Sequence, residues 1–109
     1  MEGKAKKKIT ITSEGSLEIS QRTAKYDTGV VITFMQDGTP RQIIKTEKLI
    51  LDRQIKKIRI PVALTFCDQK LRGIAVSATY LRDTLEAKRA KVTDLEGNIF
   101  VADKLTIKK

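Results

Sequence analysis

Enzyme chemistry usually draws on an imidazole, an activated thiol or clustered carboxylates, and this chain supplies almost none of them. It has no histidine and a single cysteine, Cys67. Neither a Ser-His-Asp nor a Cys-His arrangement can form within one chain, and nor can a zinc site of the usual Cys/His composition. Cys67 ends the apolar run 63–67, where a buried, inert thiol is expected. The thirteen acidic residues are dispersed and include no D-x-D-x-D-G loop, so no oxygen-ligand metal site is expected either. Asp94, Glu96 and Asn98 flank Gly97 and read as a turn. Glycines 3, 15, 29, 38, 73 and 97 stand singly, which leaves no phosphate loop and no dinucleotide fingerprint. These residues describe a protein that is not an enzyme and uses no cofactor or metal.

The chemistry that remains is charge. Twenty-two basic residues oppose thirteen acidic ones, a net of +9. Residues 41–60 hold seven basic groups against two acidic, a net of +5, whereas residues 1–40 hold six against five. A field of this sign favours polyanions. The reading is a non-catalytic β-domain that binds nucleic acid, DNA or RNA, largely through phosphate contacts. Its candidate contacts are Arg41, Lys45, Lys57, Arg59, Arg72, Arg82 and Arg89. Only five aromatics are present. Phe34, Phe66 and Phe100 lie in apolar runs and are expected in the core, while Tyr26 and Tyr80 are expected to cap its edges. Base stacking therefore has little to work with. The alternative reading is a protein-interaction or assembly module: a subunit of a larger complex, or an inhibitor docking on an acidic protein surface. Its edge strands would also offer a route to a homo-oligomer.

Strands must position these side chains. Residues 8–12 and 17–20 alternate polar and apolar types around a turn signal at 13–16, which predicts a first hairpin. Residues 21–28 read as a polar connection. Residues 29–35 are apolar on both faces, as in a central strand. Asp37-Gly38 accepts positive φ and predicts a hairpin into 41–46. Residues 47–54 fit either helix or strand. From Ile58 to Phe66 the period is two, with Lys57 and Arg59 on a basic outer face. Residues 71–76 form another strand. A short helix is predicted near 78–90 from Leu81, Leu85, Glu86, Ala87, Lys88 and Arg89, all good helix formers. A hairpin around Gly97-Asn98 leads to the last strands.

The fold class is accordingly mainly β: a small antiparallel barrel or sandwich of about seven to nine short strands with that one helix. Residues 1–8 read as a basic N-terminal tail and 9–109 as one domain, a size that can bury its own core. No apolar stretch is long enough to cross a bilayer, so no membrane insertion is expected. The lone cysteine and the lack of a signal sequence point to the cytoplasm.

Overall fold

Period-two alternation runs along the strands that make up most of residues 7–108, the residues that a computed structural model describes. They form ten strands and no helix: β1 Lys7–Thr12, β2 Leu17–Ile19, β3 Thr23–Gln36, β4 Thr39–Asp52, β5 Lys57–Ile60, β6 Leu64–Asp68, β7 Leu71–Ala75, β8 Ser77–Leu81, β9 Thr84–Asp94 and β10 Ile99–Lys108. All belong to one antiparallel sheet. Lys7 and Lys8 are strand residues, whereas residues 1–6 of the expected tail lie outside the described residues.

The ten strands amount to seven passes of chain. β1 and β2 both pair with β3, β5 and β6 both pair with β4, and β7 and β8 both pair with β9. Each of these couples is one pass interrupted near its middle, and neighbouring passes are neighbours in sequence. The interruptions fall at 13–16, opposite a register shift between Asp27 and Val30 on β3, at 61–63, opposite residues 47–49 of β4, and at Val76, whose N–H donates to the Lys88 carbonyl of β9. Thr28, Gly29 and Arg89 have φ of 69, 58 and 51° there. Bulges of this kind bend a strand and sharpen its twist. The sheet consequently folds over on itself. Phe34 on β3 and Tyr80 on β8 are separated in the sheet by β4 and β5, yet their ring centroids lie 4.9 Å apart.

The core between the two halves is built row by row. Ile11, Ile32, Ile44, Phe66, Gly73, Val92 and Phe100 stand opposite one another across the sheet. Gly73 is required in this row, because a Cβ at that position would run into the Phe66 ring. Ile32, Ile44, Phe66 and Val92 are buried, as are Ile58, Ile60, Tyr80 and Leu85 in the other half. Phe34 and Phe66 thus occupy the core as expected. Phe100 does not: it is 56 % exposed, because β10 pairs with β9 alone and no strand continues the row beyond it.

Several expectations are corrected. The helix near 78–90 is absent. Ala78 and Tyr80 on β8, then Leu85 and Ala87 on β9, are buried at alternate positions. The chain reverses through Arg82 and Asp83, at φ 51 and 61°, a two-residue hairpin turn of the twisted kind that strands prefer. Burial at period two overrides the helix propensity of Leu, Glu, Ala and Lys. Residues 8–12 and 17–20 do not pair with each other, since β3 offers both segments one continuous edge. Residues 23–28, read as connection, belong to β3, and residues 47–52 complete β4. Cys67 is exposed rather than buried, because Phe66 takes the inward position on β6. The Asp37-Gly38 turn forms as predicted, at φ 54 and 78°.

Turns are tied down by carboxylates. Asp52 Oδ1 accepts from the backbone N–H groups of Gln54 and Ile55, and Oδ2 accepts from Arg22. Burial pulls the Asp52 carboxyl upward, but these donors and the Arg22 charge together hold it below the ordinary carboxylate value. Asp94 accepts from the N–H groups of Glu96 and Asn98 and from Asn98 Nδ2. The Asn98 bonds chiefly lower its carboxyl.

Candidate functional site

The outward side chains of a sheet form cross-strand rows as regular as those of the core. Two such rows span the half of the sheet that contains β1, β6 and β7. One runs Thr12, Val31, Lys45, Thr65, Ile74, Lys91, Val101, and the next runs Thr10, Thr33, Ile43, Cys67, Arg72, Thr93, Ile99. Their middle residues, Ile43, Lys45, Thr65, Cys67, Arg72, Ile74, Lys91 and Thr93, line a shallow groove of about 560 Å³.

This groove carries three cations, Lys45, Arg72 and Lys91, and among the described residues no carboxylate lines it. Lys45 and Lys91 are three strands apart, about 14 Å at ordinary strand spacing, and Arg72 stands one row over, about 7 Å along β7. None of the three makes an ion pair among the described residues. All three are exposed. Thr65 and Thr93 add hydroxyls, and Ile43 and Ile74 add aliphatic surface. Phe66 contributes from beneath and is 3 % exposed, so no ring is presented for a base to stack on.

Of the seven residues predicted as phosphate contacts, the groove gathers Lys45 and Arg72. Arg89 shares the adjoining hollow with Lys45, but Glu14 and Glu47 also line it. Arg59 faces the outside of the other half, in a row running Glu18, Lys25, Ile50, Arg59, Thr79, Glu86, Thr106. Lys57 begins β5 opposite Asp52 and is half-buried. Arg82 is in the β8–β9 turn. Arg41 lines a separate hollow with Lys7, Lys8, Tyr80 and Asp83. There Asp83 is 3.9 Å from Lys7 Nζ and accepts a hydrogen bond from the Tyr80 hydroxyl at 3.1 Å. Burial, then Asp83, pushes the Tyr80 phenol up to about 12, so it acts as a neutral donor.

Lys91 is the cation that sequence reasoning missed. It lies just past the predicted helix, and nothing in the sequence sets it apart from the other lysines. The alternation of Val92 with Lys91 and Thr93 turns it outward, and strand register alone sets it beside Ile74 and Val101.

Among the described residues no group of three or more Cys, Asp or Glu side chains could hold a metal ion, and no helix is long and apolar enough to cross a membrane. No protein-family model and no curated protein matches the chain.

Proposed function

We propose that this chain is a non-catalytic nucleic-acid-binding domain whose outer face over β4, β6, β7 and β9 takes phosphates with Lys45, Arg72 and Lys91. The observation that carries the reading is a groove with three unpaired cations and no acid lining it. Ammonium and guanidinium groups spaced about 7–14 Å apart suit successive phosphates of a strand laid across the sheet, and the threonine hydroxyls suit phosphate and sugar oxygens. With no exposed ring in the groove, binding is sequence-neutral and dominated by counterion release. The scaffold is read as a small sandwich whose two layers are the halves of one folded sheet. The exposed, solitary Cys67 fits a reducing compartment such as the cytoplasm.

The test is an anisotropy titration of labelled single-stranded and duplex DNA and RNA. Three phosphate contacts give a loss of about 20-fold for a single strand, and about 40-fold for a duplex, between roughly 50 and 200 mM salt. Lys91→Glu is expected to abolish most of this, and Arg59→Glu to leave it. Salt-insensitive binding, or equal losses from the two variants, would sink the reading.

The reading as an interaction or assembly module is favoured by a different observation. The free edge at β10 presents Ile99, Phe100 and Val101, which are 57, 56 and 75 % exposed.

A further inference from the structure

The two outermost strands of the sheet are finished differently. β1 begins with Lys7 and Lys8, and lysines on an edge discourage another strand from adding to it. β10 runs Ile99, Phe100, Val101, Ala102 without a charge before reaching Asp103 and Lys104. Among the described residues it pairs only with β9. The N–H of Asp94 donates to the Asn98 carbonyl at 3.0 Å. By antiparallel alternation, Phe100 and Ala102 turn their main-chain groups toward β9, and Ile99 and Val101 turn theirs to the free edge.

The alternation then slips by one residue. Phe100 and Ala102 stand opposite buried Val92 and Ala90, whereas Leu105 and Ile107 stand opposite buried Ala87 and Leu85. Asp103 and Lys104 lie between, both exposed, beside the positive-φ residue Arg89 on β9. A strand with this central offset is self-complementary in one antiparallel register. Phe100 meets Ile107 of a second copy and Ala102 meets Leu105, all on the core side. Ile99 meets Lys108 and Val101 meets Thr106, all on the outer side. At the centre, Asp103 of each copy meets Lys104 of the other. Shifting the register by two residues either way sets an inward residue against an outward one.

We infer that this edge takes a second copy of the same chain, two β10 strands pairing antiparallel about a two-fold axis between the Asp103–Lys104 pairs. The contact is isologous, so it closes as a dimer instead of extending into a fibre. It prolongs the core row past Phe100 and gives its half-exposed ring a neighbour. The inference does not rest on the nucleic-acid reading, since the cationic groove lies on other strands.

The experiment is sedimentation equilibrium on the full chain, of monomer mass 12.3 kDa, with circular dichroism to verify that each variant keeps its strands. The wild type is expected to go from monomer to dimer and no further with rising concentration. Asp103→Lys sets two lysines against two lysines and is expected to weaken the dimer by about tenfold or more, as is Lys104→Asp. An equimolar mixture of the two variants restores opposite charges at both pairs, and a heterodimer is expected. Val101→Pro, which removes an N–H directed at the free edge and none used by β9, is expected to dissociate the dimer. A strict monomer at about 1 mM, or a dimer indifferent to both charge reversals, would overturn the proposal, as would a concentration-dependent ladder of higher species.

Discussion

Two halves of one outer surface share the long strands β3, β4, β9 and β10, yet they treat charge in opposite ways. Over β6 and β7, Lys45, Arg72 and Lys91 are surrounded by threonine and aliphatic neighbours, and no acid lines their groove. Over β5 and β8, the row Glu18, Lys25, Arg59, Glu86 sets two acids against two bases, and Lys104 holds Glu86 at 3.6 Å. The second arrangement is what a solvated face needs: opposite charges across strands contribute a few tenths of a kcal/mol each and balance locally. The first leaves cations that no neighbour among the described residues neutralises. Net charge therefore does not mark the candidate site; the local absence of carboxylates does.

The sharpest way to break this comparison is from beneath. Gly73→Ala places a methyl against the Phe66 ring under the cationic half. It is expected to cost about 2–3 kcal/mol as an overpacked core, lowering Tm by roughly 10–20 °C in a thermal melt. Thr79→Ala, outward on the balanced half, is expected to move Tm by no more than a few degrees.

Next in size is the charge contrast itself. Lys91→Ala should weaken nucleic-acid binding by about 1 kcal/mol and reduce the salt slope by about one, while Arg59→Ala should change neither. Anisotropy at several salt concentrations checks both.

A third contrast lies in the core, where the two buried polar side chains of β4 fare differently. Thr46 donates to the Ala63 carbonyl at 2.9 Å, whereas both polar side-chain atoms of Gln42 lack a partner among the described residues. Thr46→Val is expected to destabilise by about 1 kcal/mol and Gln42→Met to stabilise by a similar amount, measured by urea denaturation.

The smallest effect is at the β9–β10 turn. Chiefly through Asn98, the folded Asp94 carboxyl is held below its ordinary 3.8. The unfolded chain therefore binds the proton more tightly, and stability rises with pH across the window between the two values. This contribution is fully present above about pH 4–5 and fades as the pH falls through the folded value. Denaturation midpoints of Asp94→Ala should show a shallower fall on acidification than those of wild type.

The parts of this molecule that could be read from sequence are those where one local rule decides. Asp37-Gly38 turns because those residues accept positive φ, and Ile58, Ile60, Leu64 and Phe66 face inward because they recur at period two. The 78–90 segment misled because its turn residues, Arg82 and Asp83, carry no glycine or asparagine signal and its strands are made of helix formers. Arg72 and Lys45 were identified by type, but so were Arg41, Lys57, Arg59, Arg82 and Arg89, which the fold scatters among balanced or separate places. Lys91, just beyond the predicted helix, was not singled out by type or position.

What the sequence by itself determined is the lack of imidazole, the excess of positive charge, and a β composition whose alternation defines an inside and an outside for most passes. Those are sums and local periods, which need no knowledge of neighbours. Which cations share a groove, which edge is left apolar, and where an acid stands beside a base were decided only by the tertiary structure. Strand register joins residues dozens of positions apart, and electrostatics depends on distance in space, not along the chain.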